Sequence, residues 1–266
     1  MKKTILLVIP FLIWSLSAAA AFIPKQGADK FAIIEYPATQ CDVNIDEGSF
    51  EIWFQIGFDP TRNPEMAFYK PMTFLFVGSP SANPLFTVIF KGTYDPNRNV
   101  DRRHIAYTGD ILRIATQPES DPLGWKKGEW HFLAVTWKDI GPKYQCQIYV
   151  DGKLLINHES DTRREIILTE DAVIRVGSNN YAGSYATVDS IRLSSVVRTA
   201  EEIAASYKNG FAWDRYTLLL DKFENLEEGK GVTTTPEHGK QGVILGSYEY
   251  VDTPTGKGIK MHVVEE

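Results

Sequence analysis

The sequence is poor in the features that mark several common protein classes. Only two of its 266 residues are cysteines, which excludes a disulfide-rich scaffold. Its five histidines do not cluster at metal-ligand spacing, and no G-x-S-x-G nucleophile motif occurs. Lysine and arginine, 28 together, are outnumbered by 34 acidic residues, so the charge does not favour a nucleic-acid partner. The 14 phenylalanines, 12 tyrosines and six tryptophans supply enough apolar area for a core without metal or disulfide support.

The chain has one long apolar run, from Ile5 to Leu16, and no second run of that length. Lys2 and Lys3 precede it and small residues follow it up to Ala21, a pattern typical of a secretory signal over residues 1–21. The run is too short for a stable membrane span. We therefore expect a secreted protein, extracellular, periplasmic or cell-surface, with no membrane span in the mature chain. Without the two lysines the charge changes from −6 to −8.

Residues 22–266 are predicted to form a single domain, since β-sandwiches of this size are often one unit. Strand-like runs alternate with breaks at proline, where a backbone donor is missing. The predicted early strands are Phe31–Glu35, Ser49–Ile56, Met72–Val77, Leu85–Lys91, His104–Tyr107 and Ile111–Thr116. Many short strands with one late helix predict an all-β fold, a jelly-roll sandwich of two antiparallel sheets.

The most informative strands are Glu129–Lys138 and Tyr144–Val150. The first places apolar side chains on both sides of an extended chain, so it needs cover on two faces. The second alternates apolar and polar residues, so one face is buried and one is wet. Asp151-Gly152 then suits the positive φ angles of a tight hairpin.

One helix is predicted after the later strands. Thr199 and Glu202 have the spacing of a capping box, in which each satisfies a backbone donor of the other. Ile203 and Tyr207 lie one turn apart, and Gly210 can end the helix.

Several of these segments resemble the laminin-G-like and pentraxin-like members of the concanavalin A-like lectin/glucanase superfamily. The resemblance rests on four motifs between about Gly48 and Gly210. They are the W-H-x-aliphatic-A-V-T-W strand at Trp130–Trp137, the Y-V-D-G-K hairpin at Tyr149–Lys153, the aliphatic-R-aliphatic-G strand at Ile174–Gly177, and the D-x-aliphatic-R-aliphatic strand at Asp189–Leu193. The resemblance implies a two-sheet scaffold and does not specify an activity.

The segment from Tyr216 to Glu266 is similar to the opening strands of such a domain. Too few residues precede Gly48 to supply that opening in full. We therefore expect residues 216–266 to complete the sandwich, as in a circular permutation. The alternative is a truncated second repeat.

The two cysteines, Cys41 and Cys146, each share a face with apolar neighbours. Both sulfur atoms are therefore expected to point inward. The sequence leaves open whether the two form a disulfide or stay as buried thiols.

No catalytic residue is predicted. Hydrolases of the superfamily carry carboxylates on alternate residues of one strand, close enough to share a cleft. The nearest match is Glu159, Asp161 and Glu165, in which the interval between the last two residues is too long. No tryptophan is nearby to form the floor of a sugar-binding cleft. A solvated loop beside Arg163 and Arg164 is the simpler interpretation.

Calcium is the one cofactor that the resemblance makes possible, because relatives hold it at a rim with oxygen ligands. One candidate loop contains Asp95, Asn97, Asn99 and Asp101. The other combines Asn179 and Asn180 with Asp189. Both sets also fit ordinary turn chemistry. The resemblance implies a further alternative for Asp189, since the corresponding aspartate often serves the fold by hydrogen bonding to backbone.

The candidate ligand rim consists of aromatic and amide residues, because a sugar's apolar face stacks on rings and its hydroxyls need polar partners. Trp125 is flanked by glycines and lysines, which predicts a loop position. Tyr181 and Tyr185 accompany Asn179 and Asn180 in a glycine-serine segment. The tryptophans of regular strands, Trp53, Trp130 and Trp137, are predicted to pack in the core.

These observations favour a secreted, non-enzymatic binding module that recognises glycan or a glycosylated surface. The glycan part rests on resemblance alone. One alternative is a protein-binding or envelope-assembly module of the same fold, and another is a glycoside hydrolase with an unrecognised carboxylate pair.

Overall fold

The chain folds mainly into short β-strands. The computed structural model describes residues 32–57, 72–80, 85–91, 94–95, 100–101, 104–109, 115–116, 123–160, 167–177, 184–228 and 232–261. In chain order the strands are β1 (Ile33–Pro37), β2 (Glu47–Ile56), β3 (Met72–Gly78), β4 (Phe86–Lys91), β5 (Tyr94–Asp95), β6 (Val100–Asp101), β7 (His104–Gly109), β8 (Ala115–Thr116), β9 (Trp130–Asp139), β10 (Tyr144–Val150), β11 (Lys153–Ser160), β12 (Val173–Gly177), β13 (Ala186–Ser194), β14 (Thr217–Asp221), β15 (Leu226–Glu228), β16 (Val232–Thr234), β17 (Val243–Leu245), β18 (Glu249–Thr253) and β19 (Gly256–Lys260). Helix α1 (Ala200–Asn209) lies between β13 and β14.

Two large antiparallel sheets contain most of these strands. The first has nine described strands in the order β15-β16-β17-β1-β12-β3-β4-β7-β8. The second has eight described strands, β11-β10-β9-β2-β13-β19-β18 with β14 paired to β13. β5 and β6 pair only with each other within the described residues. The predicted all-β jelly-roll sandwich is confirmed.

The space between the two sheets is filled by one large apolar core that draws side chains from both. The rings of Trp137 on β9 and Phe86 on β4 meet across it, with centroids 5.0 Å apart. Trp137 is fully buried, and its indole N–H donates to the Asn44 carbonyl at 2.9 Å, so its polar atom stays satisfied. The core position predicted for this tryptophan is confirmed, whereas Trp130 is only half-buried.

The outer face of β9 is also covered, as its two-sided apolar pattern predicts. Phe132 and Ala134 belong to a second, smaller core cluster under α1, together with the fully buried Ile203. Trp53 packs half-buried against this cluster and stacks on Tyr207 of the helix, with ring centroids 5.5 Å apart. The helix therefore serves as a third layer over the second sheet.

Both ends of α1 carry the predicted caps. The Thr199 hydroxyl accepts from the Glu202 backbone at 3.2 Å, and the Glu202 carboxylate accepts from the Thr199 backbone at 2.8 Å. Gly210 adopts φ 78° at the other end, where its N–H donates to Ser206. Within the described residues, no helix is long and apolar enough to cross a membrane.

The hairpin between β10 and β11 has the predicted turn. Asp151 and Gly152 both have positive φ, 48° and 75°, as a two-residue turn matched to the twist of its strands requires. The Asp151 carboxylate fixes the turn by accepting from the Phe132 backbone at 2.9 Å. The Asp151 carboxylate therefore ties the hairpin turn to the start of β9.

A layer of charged residues joins α1 and the segment after it to the second sheet. Arg192 on β13 pairs with the buried Glu51 at 2.6 Å and also donates to Ser206 of the helix. Arg198 forms a bidentate pair with Asp214, with one contact of 2.7 Å. Each arginine is almost fully buried and is paired, as a charge removed from water must be.

The strands after Tyr216 pair with earlier strands in both sheets. In the second sheet, β14 and β19 pair with different halves of the same edge of β13. In the first sheet, β17 pairs with β1 and extends it through β16 and β15. The Tyr36 hydroxyl on β1 also donates to the buried Asp221 at 2.8 Å.

We predict that a chain ending at Arg215 does not fold cooperatively. The loss of residues 216–266 would leave one edge of β1 and one edge of β13 unpaired. It would also remove Leu219, Phe223 and Ile259 from the core. Circular dichroism with urea unfolding measures this against the intact chain. A soluble fragment with a single sharp transition would contradict the expectation that residues 216–266 complete the sandwich.

We predict that part of the free energy of unfolding is lost in acid because the Asp214 carboxylate becomes protonated. The Arg198 guanidinium, which donates to this carboxylate, holds the pKa of Asp214 well below its usual range. A lowered folded-state pKa stabilises the fold above the unfolded value of about 4 and loses that contribution as the pH falls below it. Asp214→Asn should cost about 1–2 kcal/mol at pH 7, less than for a fully buried pair because the aspartate is 40% exposed.

Urea unfolding between pH 2.5 and 7 tests this contribution. In Asp214→Asn the loss of stability below about pH 4 should be smaller than in the wild type. Asp252→Asn is the matched control, because Asp252 pairs with Lys257 at a highly exposed position. Equal effects of the two changes at pH 7 would contradict the prediction.

Candidate functional site

A cleft of about 240 Å³ opens at one end of the second sheet. The end of β2, the turn before β9, the start of β13 and the end of β19 surround it. Its described lining residues are Gln55, Ile56, Gly57, Lys127, Gly128, Tyr185, Ala186, Thr187 and Lys260. Four chain segments that are distant in sequence therefore build one concave site.

Hydrogen bonds to backbone carbonyls hold the walls of the cleft together. The Gly57 N–H donates to the Tyr185 carbonyl at 2.7 Å, which joins β2 to the start of β13. The Gln55 side-chain amide donates to the Gly128 carbonyl at 3.0 Å, which joins β2 to the turn before β9. A side chain added at Gly57 would collide with the backbone of Tyr185, so the close approach requires glycine. The site is therefore preformed.

The polar groups of the cleft are amide, hydroxyl and ammonium groups. Gln55 and Thr187 supply the first two, and Lys127 and Lys260 supply the positive charge. Lys260 also pairs with Glu249 at 2.7 Å. No carboxylate is among the described lining residues. Such a surface can hydrogen-bond hydroxyl or acidic oxygen atoms of a small ligand.

Of the predicted ligand rim, the structure brings one residue to this cleft. Tyr185 lines it, although only 8% of the residue is exposed. Asn179, Asn180 and Tyr181 lie outside the described residues. The cleft itself was missed because its lining comes from strand ends without a shared local motif.

The prediction that Trp125 forms an exposed rim is wrong. Its backbone is in a loop as expected, but its ring lies in the main core and only 3% of the residue is exposed. It stacks between Phe90, at 5.3 Å, and His131, at 4.6 Å. The flanking glycines and lysines indicate an exposed loop backbone, but they do not determine the direction of the indole ring.

Behind Trp125, His131 lies between two carboxylates. Its Nδ1 is 3.1 Å from Asp151, and its buried Nε2 is 3.7 Å from Glu129. Asp151 also binds the Phe132 backbone, so this pair orders the start of β9. The described contacts give the cluster a structural role.

The sequence matches a family model for the concanavalin A-like lectin/glucanases superfamily over residues 42–204. This chain belongs to that superfamily. The match covers more than half of the chain and confirms the resemblance drawn from its strand motifs. A search of curated proteins found no match.

Solved structures also align with the chain in three dimensions. A Bacteroides ovatus protein described as a candidate carbohydrate-binding protein aligns with a TM-score of 0.54 and 13% identity, over 88% of this chain and 58% of its own. At that identity it shows the fold alone, and the present chain spans little more than half of its length. A SAP-like pentraxin of Limulus polyphemus has a TM-score of 0.42, with 10% identity over 81% of this chain and 96% of its own. A Trypanosoma rangeli sialidase has a TM-score of 0.41, with 18% identity over 60% and 22%.

Of the candidate calcium ligands, Asp189 is the one whose side chain lies within the described residues. Asp189 is buried, and its carboxylate accepts from the hydroxyls of Ser190, Thr253 and Thr255, the last at 2.7 Å. It thereby ties β13 to the β18–β19 hairpin through side-chain hydroxyls, whereas the structural role expected for it was hydrogen bonding to backbone. The side chains of the other candidate loop, Asp95, Asn97, Asn99 and Asp101, lie outside the described residues. No group of three or more metal-binding side chains occurs in the described part of the chain.

The carboxylates compared with superfamily hydrolases do not form a described pair. Glu159 lies near the end of β11 and pairs with Lys143 at 3.0 Å. Asp161 and Glu165 lie outside the described residues.

The two cysteines are separate buried thiols in this structure. Cys41 follows β1 in the first sheet, next to Lys240, whereas Cys146 lies in the middle of β10 in the second. The possible disulfide is therefore not formed, and the inward direction predicted for both sulfurs is confirmed. Burial raises the pKa of Cys41 to about 11 and that of Cys146 well above its usual range.

We predict that neither thiol reacts in the native protein at pH 8. Buried thiols with raised pKa values contain almost no thiolate, which is the reactive form. A colorimetric thiol assay should detect almost no reaction before unfolding and two thiols per chain in denaturant. Absence of thiols in denaturant would show a Cys41–Cys146 bridge and contradict the prediction.

Proposed function

We propose that this chain is a non-catalytic module that binds carbohydrate in the cleft at the end of the second sheet. The observation that carries the proposal is the lining itself, in which residues with amide, hydroxyl and ammonium groups surround one concavity. A sugar presents many hydroxyls that need such partners when they leave water.

The size of the cleft favours a small ligand unit. Pockets for drug-sized ligands begin at about 300 Å³, and this cleft has about 240 Å³. It therefore suits one sugar residue, such as a chain end or a branch, better than a long polysaccharide segment. The ammonium group of Lys127 also suits a sugar that carries an acidic group, whereas Lys260 already pairs with Glu249.

The comparison with the Bacteroides ovatus protein supports the carbohydrate part of the proposal. That protein has the same fold and is described as a candidate carbohydrate-binding protein. A shared fold supplies a scaffold and does not transfer a ligand, so the proposal depends on the cleft.

The apolar run and basic start within residues 1–21 lead us to propose that the module acts after export from the cytoplasm. Its ligand would then be a glycan or glycosylated surface outside the cell. The described cleft supplies no carboxylate pair for glycoside hydrolysis, so binding without turnover is the activity proposed.

We predict that Lys127→Ala weakens glycan binding by about tenfold, whereas Lys126→Ala does not. Losing one charge-assisted hydrogen bond costs roughly 1.5 kcal/mol of binding free energy. Of the two adjacent lysines, Lys127 lines the cleft and Lys126 does not. A glycan array with neutral and acidic sugars, followed by calorimetry on the best ligand, measures the effect. The two variants carry the same charge change on adjacent residues, so unequal binding localises the ligand.

Three results would count against the proposal. A lack of binding to every glycan on the array would favour a protein-binding or assembly module. Equal binding by the two lysine variants would place the sugar elsewhere. Turnover of any glycan would overturn the non-catalytic role. Repeating the array with a chelator tests whether binding needs calcium.

A further inference from the structure

Trp213 is exposed, unlike the other tryptophans of the described residues. It lies between α1 and β14, and 54% of it is accessible, whereas Trp53, Trp125, Trp130 and Trp137 are buried or half-buried. An exposed indole ring offers a flat apolar face that a ligand can cover, so Trp213 is a candidate contact residue. The earlier motifs do not single it out, because Phe211–Asp214 has no strand or helix period.

The backbone around Trp213 is firmly anchored on both sides. Phe211 is buried under α1, with the Arg192 guanidinium 5.2 Å from its ring centroid. The Ala212 carbonyl accepts from Arg192 at 3.1 Å. On the other side Asp214 binds Arg198 and accepts from the Tyr216 backbone at 3.0 Å. The ring is therefore presented outward by a rigid segment, which lowers the entropy cost of binding to it.

A histidine lies near the tryptophan. The His238 ring centroid is 5.4 Å from that of Trp213, with the two planes 52° apart. The His238 backbone is fixed by two hydrogen bonds with Leu220, at 2.9 and 3.2 Å. The apolar face of the Trp213 ring therefore adjoins an imidazole that can donate or accept a hydrogen bond.

This surface is separate from the cleft. Leu220, which binds His238, pairs with Arg192 on β13, whereas Ala186 at the start of β13 lines the cleft. Six residues of extended strand separate the two positions, a distance of about 20 Å. One sugar residue cannot reach both.

We propose that Trp213 and His238 form a second carbohydrate-binding surface. The apolar face of a pyranose ring stacks on the indole, and its hydroxyls bond to the His238 imidazole. An exposed indole face beside an imidazole matches a sugar's mixed polarity. A protein partner would need roughly 800 Å² of complementary surface, far more than one ring offers.

The test follows the indole N–H signal of Trp213 by ¹H–¹⁵N NMR in the full chain, assigned with Trp213→Phe. Cellohexaose, xylohexaose and chitohexaose are titrated separately as probes. We expect at least one sugar to shift this signal saturably. Trp213→Ala should bind that sugar about tenfold more weakly, and Trp213→Tyr should keep most of the affinity, because an aromatic face remains.

Ile167→Ala is the matched control, since it removes another highly exposed apolar side chain, and it should leave the affinity unchanged. Circular dichroism confirms that each variant is folded. No saturable shift with any of the three sugars would overturn the proposal, as would equal losses in Trp213→Ala and Ile167→Ala. Binding that Lys127→Ala weakens and Trp213→Ala does not would also overturn it and leave the cleft proposal standing. Binding that only Trp213→Ala weakens would support this surface and count against the cleft.

Discussion

The burial of β9 on both faces determines how the molecule is layered. Its inner face meets the core between the sheets, and its outer face would lie in water without a further layer. Helix α1 and the segment after it supply that layer. Covering the sheet there also buries polar residues of neighbouring strands, which explains why Glu51 and Arg192 pair with each other under the helix. The same arginine anchors the backbone that presents Trp213, so the exposed ring follows from the need to cover β9.

Local patterns in the sequence predicted the scaffold well. Alternating apolar residues marked the early strands, the Thr199–Glu202 spacing marked the helix start, and Asp151-Gly152 marked the hairpin. Each of these signals arises from backbone geometry within a few residues, so no tertiary contact was needed to interpret them.

The candidate site could not be predicted in the same way. Trp125 has the flanking residues of a surface loop, yet stacking on Phe90 and His131 holds its ring in the core. The cleft joins Gln55, Lys127 and Lys260, which lie on three different segments. Their proximity depends on the strand order of the second sheet, and one sequence contains no direct signal for that order. Tyr185 was found because an aromatic residue beside amides is visible locally.

Strand β1 illustrates a further consequence of the topology. Ile34 pairs with Ile244, more than 200 residues later, and Ala32 bonds to Met261. A nascent chain cannot close the first sheet until these late residues have left the ribosome, and contacts so far apart in sequence also form slowly. The last edge pairing of β1 therefore forms only after residues 244–261 have been synthesised, and until then that edge stays open to other partners, chaperones included.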